Sequence, residues 1–170
     1  FADAQNTLYM VRKNNRVGYM DANSKLVTGG YIYKDGEPFR KGYAVVRNDN
    51  NKEGAIDATG KEVVKPQLYH DLTYLGRDVW HGEHMDSSIV FSTNGIIYYQ
   101  GYKVHVSGSL QLDRIFLTTH TYSSNVAPAI LMNYAGRIIS QVQPKGKASF
   151  SPISLGQGLG AYYSKLLSLN

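Results

Sequence analysis

The densest group of side chains able to do chemistry is His81-Gly82-Glu83-His84. Two imidazoles and a carboxylate within four residues raise the question of a metal ion. On a strand, residues three apart face opposite ways, so the two imidazoles diverge, while His81 and Glu83 share a face. Two ligands fall short of a zinc site. Only a turn would let the imidazoles converge. The plainer reading is a pair of ordinary surface histidines, and neither a metal nor a cofactor is expected.

Aromatic residues offer a second chemistry. Tyr98, Tyr99 and Tyr102, near Trp80, could present a platform for sugar rings or for a protein partner. Cross-strand aromatic packing inside a sheet explains the same residues more simply. Tyr98 and Tyr99, being adjacent, point to opposite faces, so at most one joins any platform. The candidate ligand- or partner-binding residues are Trp80, His81, Glu83, Tyr99 and Tyr102.

Nucleophilic catalysis needs a base oriented beside its nucleophile. The chain has no Gly-x-Ser-x-Gly elbow. Ser107-Gly108-Ser109 and Thr119-His120-Thr121-Tyr122 read as strand-edge and loop residues. Gly156, Gly158 and Gly160 resemble a dinucleotide loop, but the third glycine comes one residue early and no βαβ unit surrounds it. That stretch reads as a connector. No catalytic residue is assigned.

The elements that must position these groups follow from composition. The chain has 170 residues, 42% hydrophobic and 18% charged, which suits one domain with a real core. Neither a spanning helix nor a signal-peptide pattern is present. With no cysteine, disulfides and thiolate chemistry are excluded. The net charge of +5 is dispersed, its only tight groups being Arg12-Lys13, Arg40-Lys41 and Lys145/Lys147. No basic stripe marks a nucleic-acid partner. Fourteen tyrosines and seventeen glycines argue for an all-β chain rich in tight turns.

Those turns repeat. Asp21-Ala22-Asn23-Ser24, Asp57-Ala58-Thr59-Gly60, Ser92-Thr93-Asn94-Gly95 and Asn133-Tyr134-Ala135-Gly136 each follow an apolar pair. Each opens with Asp, Ser or Asn, whose short side chain bonds the backbone ahead, and three end in the glycine of a bulged hairpin. Ser24 breaks that pattern, so the first turn is expected to be strained or differently shaped. Aliphatic pairs follow every turn: Leu26-Val27, Val63-Val64, Ile96-Ile97 and Ile138-Ile139. The starts at 21, 57, 92 and 133 define repeats of 35–41 residues.

A further strand precedes each hairpin, at 8–11, 43–46, 79–81 and 115–118, and residues 48–52 and 85–88 read as turns. Residues 31–35 and 67–71 echo one another. Met20 and Ile56 occupy equivalent places and are expected to face a shared core, with Gly18 and Gly54 admitting another strand closely.

Residues 38–72 resemble the WG β-repeat, also called the KWG repeat. Phe39, Gly42, Ala44 and Val46 match the first half of that pattern. Gly54, Ile56, Asp57, Gly60, Lys61, Val63 and Val64 match the second. The first copy matches at Gly18, Tyr19, Met20, Asp21, Lys25 and Val27. Val17 and Glu53 stand where the family carries its tryptophan. The resemblance is clearest over residues 8–75. It implies an all-β repeat protein, often bacterial and exported, with no general enzymatic activity.

The expected architecture is therefore an all-β array of about four hairpin or meander repeats, near 8–42, 43–78, 79–114 and 115–143. It forms a propeller-like ring or an open twisted stack, capped by 144–170, whose last ten residues read as either a helix or a closing strand. The expected function is a non-enzymatic module that recognises another protein, in a periplasmic or secreted setting or alternatively in the cytoplasm. Divergent loops within residues 99–128 would hold its specificity. The alternatives are a carbohydrate- or cell-envelope-binding module and a hydrolase whose site is assembled from distant strands.

Overall fold

The computed structural model describes residues 7–118 and 129–142. Every regular element among them is a strand. The chain divides into two compact units, residues 1–102 and 103–170.

The first unit holds three antiparallel sheets. The first pairs β1 (Tyr9–Lys13) with β2 (Arg16–Met20). The second is a meander of β3 (Asp35–Gly36), β4 (Tyr43–Arg47), β5 (Glu53–Asp57) and β6 (Glu62–Tyr69). The third is a meander of β7 (Asp71–Gly76), β8 (Val79–His84), β9 (Ser87–Ser92) and β10 (Ile97–Tyr102). The second unit carries the fourth sheet, β11 (His105–Ser109), β12 (Arg114–Thr118), β13 (Ala129–Met132) and β14 (Ile138–Val142). Within it, Ile115 and Leu117 on β12 stand opposite Met132 and Ile130 on β13, and all four are buried.

One turn recurs through both units, for a local reason. At Asp21, Asp57, Ser92 and Asn133, the N–H of the first residue donates to the carbonyl of the fifth, and the N–H of the fourth donates back to the first carbonyl. The first side chain then accepts from the backbone ahead: Asp57 Oδ1 takes the N–H groups of Thr59 and Lys61, and Asn133 Oδ1 those of Ala135 and Arg137. The fourth residue must be left-handed, and Gly60, Gly95 and Gly136 are, with φ of 81°, 87° and 79°. Ser24 occupies the same conformation with φ 62°, so its turn keeps the shape and bears the strain. A fifth turn of this kind opens at Asn48, with Asn51 at φ 56°.

Two-residue turns close other hairpins. Asn14-Asn15, Lys41-Gly42 and Arg77-Asp78 all have positive φ at both positions, the type I′ geometry that suits twisted strands.

The sheets of the first unit stack face to face, and parity decides which side chains meet. Val17 and Tyr19 lie in a buried cluster with Ala44, Val46 and Ile56, which fills the space between the first and second sheets. The other face of the second sheet supplies Ala55 and Val64 to a cluster with Leu72, Trp80, Ile89 and Phe91 of the third. Aromatic rings enter spaces left by glycines of the next sheet. A Cβ on Gly36 would run into the Tyr19 phenol, and one on Gly82 into the Tyr69 ring.

The close strand approach expected at Gly54 is present, since a Cβ there would strike the Val64 carbonyl and Pro66. Met20 requires a correction. It is half-buried and lies outside the cluster that holds Ile56, where Tyr19 sits instead. Met20 and Ile56 have the same parity in their own sheets, so both face back along the stack rather than toward each other. Within residues 99–128, where divergent loops are expected, β10, β11 and β12 leave short connections at 103–104 and 110–113, and residues 119–128 lie outside the described residues. The Thr119–Tyr122 stretch, the glycines at 156, 158 and 160 and the cap at 144–170 lie outside the described residues.

Candidate functional site

Between the second and third sheets lies a cleft of ≈ 610 Å³. Its floor is aromatic. Tyr43 starts β4, and Tyr74 and Trp80 are cross-strand partners in β7 and β8. Ring centroids stand 4.8 Å apart for Tyr43 and Tyr74, 5.2 Å for Tyr43 and Trp80, and 4.7 Å for Tyr74 and Trp80. Such tilted packing suits the ring quadrupoles.

The polar atoms of the floor bond internally. Tyr43 donates its hydroxyl to Asp78 Oδ1 at 2.7 Å, and the Asp78 N–H donates to the Tyr74 hydroxyl at 3.1 Å. Trp80 Nε1 donates to Thr93 Oγ1 at 2.9 Å. Burial, reinforced by the Asp78 carboxylate, pushes the Tyr43 phenol up to about 12.

One wall is an ion pair. Arg47 and Glu53 are cross-strand neighbours in β4 and β5, and their side chains form a salt bridge. Glu53 is buried, and its Oε2 accepts the Leu72 N–H of the third sheet at 2.8 Å. The adjacent carboxylate holds the Arg47 guanidinium above its ordinary value. The register of copy one explains why Glu53 stands there. Val17 bridges Tyr33 just as Glu53 pairs with Tyr69, so the two occupy equivalent places in their copies. Arg12 lies opposite Val17, which offers no carboxylate, and pairs with Asp35 of β3 instead.

The rim carries the exposed cations Arg40 and Lys41, and neither forms an ion pair among the described residues. Glu37, His70 and Asp71 complete the polar lining. Such an opening can hold a chain segment by packing on the floor and by charge at the rim.

The candidates from the sequence separate across the third sheet. Trp80 is completely buried and faces the second sheet, so it cannot be part of an exposed platform. Tyr99 stands opposite Val90, which stands opposite His81, placing Tyr99 and His81 on the other face from Trp80. A platform shared by Trp80 and Tyr99 is thereby ruled out. Tyr98 is the extra residue of a bulge between Ile97 and Tyr99, and lines a neighbouring cleft with Lys61 and Asn94. His81 is buried; Glu83 is half-buried and pairs with Asp71 and Ser88. The Tyr102 backbone closes β10 opposite Ser87. His81 and His84 belong to one continuous strand and leave it on opposite faces. Among the described residues no group of three His, Asp or Glu side chains is placed to hold a metal.

His84 instead stacks on His70, with centroids 5.9 Å apart and planes at 6°. Sequence reasoning missed this pair, as it missed Arg47 and Glu53. The echo of residues 31–35 in 67–71 located the junction that carries His70, but nothing local says that His84 lies beside it.

The family model for the WG containing repeat matches residues 18–52. Over those residues the chain is similar to the WG repeat. The matched WG segment runs from Gly18 in β2 to the Asn48 turn, across the seam between the first and second sheets.

No curated protein matches the sequence. Among solved structures, Hsv2 of Kluyveromyces lactis with its complete loop 6CD aligns at 14% identity and a TM-score of 0.45, over 75% of this chain and 45% of that one. BamB from Moraxella catarrhalis aligns at 15% identity and a TM-score of 0.40, over 84% of this chain and 49% of that one. The chain spans about half the length of these structures.

Proposed function

We propose that this chain is a non-catalytic β-repeat module that binds another protein, with the cleft between the second and third sheets as a principal contact. One observation carries the reading. Arg40 and Lys41 stand exposed above an aromatic floor whose hydroxyl and indole groups are already hydrogen-bonded within the protein. Recognition there works through packing and rim charge, which suits a polypeptide better than a sugar needing many directed bonds. Repeat arrays present extended surfaces for such contacts. Ile32 and Leu68, equivalent residues of the first two copies, are 51% and 40% exposed and extend the apolar surface along the array. An exported setting belongs to the same proposal.

The test is capture of partners from the source cells by the wild-type chain, an Arg40→Glu/Lys41→Glu variant and a Lys65→Glu control. Lys65 is exposed on β6 and does not line the cleft. A protein retained by the wild type and the control but lost by the double variant supports the reading. Equal retention by all three removes the cleft from it. Retention of envelope glycan alone would replace it with the carbohydrate reading.

A further inference from the structure

We propose that Lys52, His70 and His84 form a carboxylate-binding site that tightens as pH falls, receiving an acidic side chain of the protein partner. The identity of the carboxylate's donor rests on the protein-binding reading above; the site itself rests on geometry.

Three segments bring the groups together. Lys52 is the fifth residue of the Asn48 turn in the second sheet, where its N–H is tied to Asn48 Oδ1. His70 is the single residue between β6 and β7, fixed by donation of its N–H to the Glu83 carbonyl at 2.9 Å. His84 is the last residue of β8. Lys52 Nζ lies 2.8 Å from His70 Nε2, and the two imidazoles stack in parallel. An ammonium can donate to that nitrogen only while it carries no proton. Among the described residues, no carboxylate forms an ion pair with any of the three.

Among the described residues, the neighbouring carboxylates do not pair with these three groups. Asp71 and Glu83 oppose one another in the β7–β8 ladder, and alternation along β8 sends Glu83 to the face opposite His84. Arg47 and Glu53, which line the cleft with His70, are engaged with each other, and Glu37 and Asp71, which line it too, form no ion pair with Lys52, His70 or His84. Asp86 lies in the turn after His84, beyond Met85, and makes no ion pair there.

Protonating His70 therefore ends its acceptance from Lys52 and sets two cations side by side. A proton on His84 adds a third. A carboxylate lying across the three relieves that repulsion and gains charge-assisted hydrogen bonds. Linkage gives the sign: an anion that prefers the protonated imidazoles binds more tightly as pH falls and more weakly as it rises.

The experiment titrates the whole chain with a glutamate-rich decapeptide, by calorimetry and by imidazole proton NMR, at pH about 5.5 and about 8. The peptide should bind about tenfold tighter at the lower pH, within the usual range of coupling between two sites. The His70 and His84 ring resonances should move together on binding. His70→Gln/His84→Gln should reduce the pH ratio below about twofold, and Lys52→Gln should weaken binding at both pH values while keeping a ratio above about twofold. Thermal melts of the variants confirm that they fold. Affinity independent of pH in the wild type, or a pH ratio retained in the folded double-histidine variant, overturns the site. Binding of inorganic phosphate without binding of the peptide overturns the carboxylate assignment. A peptide that binds as described while no cellular protein is retained would leave the site standing and remove the protein-binding reading instead.

Discussion

Glu53 in β5 accepts the backbone N–H of Leu72 in β7, so one carboxylate fastens the second sheet to the third. The same carboxylate pairs with Arg47 of its own sheet, and Glu53 is buried while doing both. At the equivalent place in copy one, Val17 is buried among apolar neighbours. This place is thus filled by a hydrocarbon in one copy and by a hydrogen-bonded anion in the next.

Glu53→Ala leaves the Leu72 N–H without its acceptor and Arg47 without its partner. The expected loss is about 2–3 kcal/mol, since a buried donor loses its bond, while the part-exposed Arg47 adds only a little. Glu53→Gln keeps an acceptor and should cost about 1 kcal/mol. Urea unfolding of the two variants measures the difference. Equal losses would mean that Leu72 is not held by this bond.

Ser24 holds a left-handed conformation that glycine holds in three of its sister turns. Relieving an L-residue of that conformation gains about 1–2 kcal/mol, and the extra freedom of unfolded glycine returns about 0.5–1. Ser24→Gly should therefore stabilise the chain by roughly 0.5 kcal/mol, read as a rise in the thermal midpoint. Gly60→Ser should do the reverse, and by more, because a Cβ there also meets the Val27 backbone.

Burial raises the Asp57 carboxyl, but bonds from Thr59 and Lys61 outweigh it and hold the group below its ordinary value. A depressed carboxyl stabilises the fold above the unfolded pKa near 3.9, and that contribution is lost as pH falls through the folded value. Asp57→Asn retains an acceptor for the turn, as Asn133 shows in the fourth sheet. Acid unfolding curves of wild type and variant should converge below pH about 4. A gap that widens with acid would contradict the turn as the source.

Tyr43, Tyr19 and Tyr33 are all raised, chiefly by burial. A phenol raised in the folded state contributes stability below pH about 10, lost as pH rises toward the folded value. For Tyr43 that window runs up to about 12. Absorbance of tyrosinate should rise cooperatively with loss of β-sheet circular dichroism, and Tyr43→Phe should move the midpoint to higher pH.

The turns were legible because each is decided within five consecutive residues. Asp57 bonds the backbone of Thr59 and Lys61, and Gly60 supplies the left-handed φ, whatever lies elsewhere in the chain. The strands preceding the hairpins were legible too, through alternation and period. The cleft was not. From the sequence Trp80 could either lie beside an exposed platform or pack within a sheet, and only the stacking of sheets buries it on Tyr43 and Tyr74.

Local hydrogen bonding thus let the amino-acid order alone determine the repeat, the hairpin corners and the all-β character of this chain. Which face of each strand meets its neighbour was decided only when the sheets of the first unit stacked. Shifting attention by one residue along β2 or β5 exchanges Met20 for Tyr19, or Ile56 for Ala55, and with it the whole set of partners. The His70–His84 stack and the Glu53–Leu72 bond arise the same way. They join residues of different strands through space, where sequence separation carries no record of distance.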